Sequence, residues 1–196
     1  MSRKIRRVPV SPDAGEIKQL SAEEIALILR GADDLIMRGG RTLLAKILKG
    51  SREKRIIELE LDQSPAYGKL GHLTTDEILA RIDWLILNDY LTVEYDGRLP
   101  LLVYTQRGWE IERETYTAEM QARVDTLIAG SEAPPDLSWL NDRNREVVML
   151  LLDRIEKTGG PVYQPALEAW SNNTYKKIRR RIRQVMASLS DSSQKH

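Results

Sequence analysis

The chain has 196 residues, with 30 Lys plus Arg against 29 Asp plus Glu, 41% hydrophobic residues, two His and no Cys. Such a length suits one or two domains, the composition is that of a globular protein, and no apolar run is long enough to span a membrane. The lack of Cys excludes disulfides and thiolate metal sites, and His72 and His196 alone argue against a His-based metal cluster or a Ser-His-Asp triad.

Near-zero net charge says nothing about partners, but its distribution does. Residues 1–10 carry Arg3, Lys4, Arg6 and Arg7 without an acid, and residues 171–196 carry seven cations against Asp191. Two basic ends read either as polyanion contacts or as plain solvated charge. The N-terminal stretch lacks the apolar region of a signal peptide, so the expected location is cytoplasmic, with nucleoid association if the polyanion is DNA. Pro9, Pro12 and Gly15 and the lack of periodicity make residues 1–19 a flexible basic arm.

Ser21 and Glu24 form a capping box that starts a helix through Ile25, Ile28, Leu29, Leu35 and Ile36, ended by Gly39-Gly40. Leu43, Leu44, Ile47 and Leu48 then share one face of a second helix. Gly50 is its C-cap and Ser51 a candidate N-cap for a short third helix. Around this junction stand Arg41, Lys46, Lys49, Arg52, Lys54 and Arg55 against one acid, Glu53, a grouping suited to phosphate. The carboxylates of Glu58 to Asp62 sit in a helical or irregular segment and read as a solvated face rather than an acid–base or metal site.

Thr74 and Glu77 make a second capping box. Behind it Ile78, Leu79, Ile82, Leu85, Ile86 and Tyr90 line one face of a helix. Its other face carries Asp76, Glu77, Asp83, Asn88 and Asp89 with Arg81 the single base, which suits it poorly to lie against phosphates. Asp96-Gly97 between alternating apolar runs predicts a β-hairpin over 91–104, with Pro100 marking an edge and Arg107 just beyond. A helix follows from Trp109 to Ile128, and Ala129 to Asp136, with Pro134-Pro135, reads as a linker.

Residues 137–190 predict three helices, the first capped by Asn141 or Asp142 and the last with Ile178, Ile182, Val185, Met186 and Leu189 on one face. Lys176, Lys177, Arg179, Arg180, Arg181 and Arg183 cover the rest of that last helix. Such a helix suits nucleic acid, a membrane surface or an acidic partner; the basic junction upstream favours nucleic acid, through Lys176, Lys177, Arg180 and Arg181. Residues 191–196 are expected to be disordered.

The ordered set LLAKILKGSREKRI, SPAYGKLGHLT, amphipathic helix, short hairpin and YTQRG resembles the RQC domain, the winged-helix module of RecQ-family DNA helicases, over roughly residues 20–110. The resemblance implies a mainly helical winged helix with a small β-hairpin at 20–128, followed by a small all-helical region. It implies DNA binding, by duplex ends, forks or structured DNA. It assigns Lys49 and Ser51, at the Gly50 junction, to one phosphate, and makes the hairpin a wedge with Tyr95 as its aromatic and Arg98 beside it. Ordinary cross-strand packing is the other reading of Tyr95. No GxxxxGK[ST] loop is present, so the resemblance carries over binding and not a helicase motor, and no cofactor is expected. The alternatives are a protein-interaction module or accessory subunit beside a helicase, nuclease or other DNA-repair protein, and a winged-helix transcription regulator.

Overall fold

The computed structural model describes residues 7–193. It is mostly helical with one two-stranded antiparallel sheet. In chain order come α1 (Ala22–Ala32), α2 (Arg41–Lys49), α3 (Lys54–Glu58), α4 (Thr75–Leu87), β1 (Leu91–Asp96), β2 (Leu99–Tyr104), α5 (Gln106–Ala129), α6 (Arg145–Thr158), α7 (Gln164–Asn172) and α8 (Lys176–Ser193). The chain divides into two compact units between Glu112 and Arg113, within α5.

The first unit is a winged helix. Both capping boxes form, Ser21 with Glu24 and Thr74 with Glu77. The backbone N–H and then the hydroxyl of Thr74 hold the Glu77 carboxyl below the usual range. Ile28, Leu29, Leu44, Ile47, Leu48, Ile78, Ile82 and Leu85 meet in one core at 0% exposure, which is why these apolar spacings become helices here. α1 is shorter than expected. After Ala32 a 3-10 turn spans Asp33–Leu35, and Met37 takes a left-handed φ of 58°. The Met37 amide donates to Leu102 O (3.0 Å) and Leu102 N to Gly39 O (2.9 Å), so residues 37–39 run along the free edge of β2. Gly39-Gly40 therefore serves that edge; a Cβ on Gly40 would sit 2.8 Å from Pro100 O.

The hairpin pairs Leu91 with Tyr104 through Asp96 with Leu99, so its turn is Gly97-Arg98. Gly97 alone takes a positive φ there, +56°, the type II′ pattern that suits twisted strands. Thr105 caps α5: its hydroxyl accepts from Gly108 N (3.1 Å) and donates to Asp89 O (2.6 Å). A side chain at Gly108 would collide with the Tyr90 carbonyl, which fixes how closely α5 starts against the end of α4.

Residues 7–19 were expected to be a flexible arm, and from Arg7 onward they are tied down. Val8 N donates to Arg98 O (3.1 Å) and Asp13 N to the Asp83 carboxylate (3.0 Å), while the Trp84 indole donates to Lys18 O (3.4 Å). Ala14 and Ile17 pack on the core. Asp83 and Trp84 flank the outward side of α4, so the arm crosses that side. Arg3, Lys4 and Arg6 lie outside the described residues.

The second unit holds the second half of α5, then α6, α7 and α8. The linker expected at 129–136 lies inside it, because Met120 and Val124 are buried, Gln121 accepts from Arg154 (3.1 Å) and Asp125 accepts from the Tyr163 hydroxyl. Neither Asn141 nor Asp142 caps α6. They close a 3-10 turn, Ser138–Asp142, and Asn144 is the cap, accepting from Glu146 N at 2.8 Å. Asn141 instead accepts from Trp170 Nε1 (3.0 Å) and Thr174 Oγ1 (2.6 Å), joining α7 to the start of α8. α8 continues to Ser193, so residues 191–193 of the expected tail are helical and 194–196 lie outside the described residues. Among the described residues no helix is long and apolar enough to cross a membrane.

Candidate nucleic-acid interface

The basic junction of the first unit is built on two glycines. Gly50 ends α2 with φ +78°, and a Cβ on it would come within 2.9 Å of Gly68 Cα. Ile47 O receives both Gly50 N and Gly68 N, each at 2.9 Å, and Leu70 N donates to Leu48 O at 2.9 Å. The Tyr67 hydroxyl closes the approach by donating to Ser51 O (3.1 Å). The turn 65–71 is thus bolted onto the end of α2, which brings the backbone of Gly68, the residue before Lys69, against that of Gly50. Lys69 is exposed and was missed in the sequence, though it stands in the quoted SPAYGKLG run.

The six expected cations around this junction divide by what they already hold. Arg41 is half-buried and its guanidinium holds Asp83, with Nη1 at 2.6 Å from Oδ1. Lys46 pairs with Glu53 at 2.6 Å. The Lys49 ammonium donates to Gly71 O (2.8 Å) and Leu73 O (2.6 Å), satisfying the turn before α4. Lys54 lies 3.3 Å from Glu58 but is 88% exposed, so that pair is weak. Arg52 and Arg55 are exposed and hold no partner among the described residues. The cap also differs from expectation: Glu53 is the N-cap of α3, in extended conformation, and Ser51 Oγ accepts from Glu53 N at 3.3 Å. With five residues, α3 is a single turn.

A groove of about 400 Å³ runs from this junction to the hairpin. It is lined by arm residues Val8 to Val10, by β2 residues Leu99 to Leu101, and by the charged Arg38, Arg41, Lys46, Glu53 and Arg55. Arg38 is exposed and was also missed; it lies in a loop that no periodicity marks.

The hairpin residues fare differently from the wedge reading. Tyr95 is half-buried opposite Pro100, its hydroxyl donates to Val8 O (3.0 Å), and the Arg7 guanidinium covers its ring at 4.9 Å. Both the hydroxyl and one face are therefore occupied by the arm. Arg98 is exposed at the turn, and Leu99 beside it is 61% exposed. Arg107 lies 4.0 Å over the Tyr90 ring and donates to Asn88 O (3.0 Å), which makes it a clamp on the end of α4.

In the second unit α8 sorts its own charges. Arg181 bonds Asp153 at 2.8 Å and also Glu156; the Glu156 bond raises the guanidinium further, and Arg181 in turn holds the Glu156 carboxyl below its usual range. Arg179 donates to Ser171 O (2.7 Å) and Thr174 O (2.8 Å). Lys176, Lys177 and Arg180 are exposed and free of ion pairs among the described residues. No group of side chains that could hold a metal occurs among the described residues.

Comparison with known proteins adds two findings. The family model of the RQC domain matches residues 19–127. The ATP-dependent DNA helicase RecQ of Bacillus subtilis (strain 168) is 34% identical over 71 residues, 36% of this chain and 12% of that helicase. No solved structure matches the chain.

Proposed function

The chain belongs to the RQC-domain family, and on that footing we propose that it is a non-enzymatic DNA-binding protein that contacts duplex or structured DNA through the glycine junction and the hairpin. The observation that carries this reading is the free charge left at the junction once internal partners are subtracted. Arg52 and Arg55 stay exposed just after Gly50, and Lys69 just after Gly68, while Arg38 is exposed on the groove that Arg55 also lines. Cations without protein partners can neutralise phosphates and release counterions. α4 does not fit a major-groove reader, since the arm crosses its outward side and Asp83 there is already paired. Contacts of this kind position the protein on a backbone without reading bases. At the hairpin, Arg98 and the exposed Leu99 are what the tip offers to a duplex end.

A second reading rests on Ile57 and Leu59, 48% and 47% exposed at the end of α3. They favour a protein partner, such as a helicase or nuclease subunit, docked on the same junction.

Fluorescence anisotropy with a labelled duplex separates the two. DNA binding predicts affinity that falls steeply with salt and is weakened on every sequence alike by Arg52→Ala with Arg55→Ala and Lys69→Ala. Salt-independent or absent duplex binding by the folded chain refutes it.

A further inference from the structure

We propose that the exposed side of α8, together with Tyr175, is a second surface that binds single-stranded nucleic acid. Tyr175 immediately precedes α8, and its carbonyl accepts the first helical bond, from Arg179 N at 2.9 Å. Its side chain is 63% exposed, and it makes no hydrogen bond, ring contact or cation contact among the described residues. The other tyrosines with a described burial are less exposed, and several tie their hydroxyls to the protein, as Tyr67, Tyr95, Tyr104 and Tyr163 do. Tyr175 alone presents a ring to solvent with nothing to do for the fold.

Beside it Lys176, Lys177, Arg180 and Arg183 stand exposed and unpaired among the described residues. At 100° per residue Lys176, Arg180 and Arg183 fall on one line, with Lys177 next to it, opposite the buried Ile178, Ile182, Val185 and Leu189. The line from Lys176 to Arg183 is about 10 Å long. Like charges at helical neighbours repel, and Lys176 and Lys177 sit in a first turn where the helix dipole disfavours cations. The fold gains nothing from this charge. A polyanion laid along the line removes both penalties.

The nature of the polyanion follows from the ring and from the core. A duplex keeps its bases stacked inside, so an exposed tyrosine has no base to meet; a single strand offers unstacked bases, and base–aromatic stacking with a cationic track is how such strands are held without sequence preference. A membrane surface is the poorer fit, because the apolar face of α8 is already buried and is not available to enter a bilayer. This surface lies within the second unit, outside the junction that carries the duplex reading.

The test uses the full chain and two probes, a fluorescein-labelled oligo(dT) longer than the roughly 4–16 nucleotides such sites span, and the duplex it forms with oligo(dA). Tyr175→Ala should weaken oligo(dT) binding roughly 5- to 150-fold, the loss of one base stack, with an unchanged melting temperature and unchanged duplex affinity. Tyr175→Phe should bind oligo(dT) as the parent does, since the ring stacks. Lys176→Gln with Arg180→Gln and Arg183→Gln should lower the salt slope of oligo(dT) binding by about 0.7 for each phosphate no longer neutralised. The inference is overturned if Tyr175→Ala binds oligo(dT) like the parent, if it loses duplex and single strand equally, or if the parent does not bind oligo(dT). Salt-sensitive duplex binding by the parent chain leaves the junction reading standing in each of those cases, so the two failures are distinguishable.

Discussion

Arg41→Ala tests whether the most conspicuous cation of the junction serves the fold or the ligand. The Arg41 side chain is 29% exposed and its partner Asp83 only 4%. Removing one member of a buried ion pair costs about 3–5 kcal/mol, because the remaining charge is left unpaired. Asp83 would keep one donor, the Asp13 amide at 3.0 Å, and Arg41 sits at the rim, which places the cost near 3 kcal/mol. For a domain of this size each kcal/mol moves the melting temperature by about 4 °C or more, so the first unit should melt more than about 10 °C lower. Replacing both partners, Arg41→Met with Asp83→Leu, should recover most of that loss, since an apolar pair leaves no buried charge. The assay is a thermal melt followed by circular dichroism, paired with duplex anisotropy at a temperature where parent and variant are both folded. The expected result is a large fall in melting temperature with unchanged duplex affinity. An unchanged melting temperature with weakened duplex binding would refute the reasoning and make Arg41 a phosphate ligand.

Lys49→Ala should behave likewise, lowering stability by about 1–3 kcal/mol through the unsatisfied Gly71 and Leu73 carbonyls while duplex affinity per folded molecule holds; denaturant titration beside anisotropy reads both. Removing Arg52, Arg55 and Lys69 together should do the opposite, leaving the melt unchanged and reducing the salt slope of duplex binding by about one for each phosphate those side chains neutralise. Gly108→Ala should destabilise the first unit strongly, because the Tyr90 carbonyl occupies the space of the new methyl; a melt within error of the parent would show that α5 can shift. The Glu156 carboxyl is held low by its bond from Arg181, so its contribution is complete above the unfolded carboxylate pKa and disappears as pH falls through the folded value. Acid unfolding of the second unit should therefore begin at a higher pH in the parent than its neutral-pH stability alone implies, and Arg181→Met should flatten stability against pH in that acid range.

Local signals carried much of the fold. Two capping boxes, the left-handed Gly50, the Asp96-Gly97 hairpin and the apolar faces of α2, α4 and α8 depend on residues a few positions apart, and each forms as its spacing predicts. The partners of charged side chains did not show in the same way. Arg41 and Asp83 are 42 positions apart, and Lys49 answers carbonyls more than 20 positions on, so a cation count at the junction overstates what is free. The arm was unreadable for another reason. Residues 7–19 form no helix or strand, and they are held by isolated contacts, the packing of Ala14 and Ile17 and hydrogen bonds with Arg98, Tyr95, Asp83 and Trp84, which leave no periodic trace. The division inside α5 was hidden because one uninterrupted helix supplies buried side chains to two cores, whereas the visible break at Pro134-Pro135 falls within one of them.

The docking of the arm also bears on where the chain can be cut. The family match begins at residue 19, yet Val8, Asp13 and Lys18 all precede it and all bond to the winged helix. A fragment trimmed to the matched residues would leave Asp83 without its backbone donor, the Trp84 indole N–H without its acceptor, and the Tyr95 ring bare at the hairpin. It would display an aromatic at the wing and an open side of α4 that the longer chain keeps covered, so DNA binding measured on it would report a surface made by the cut.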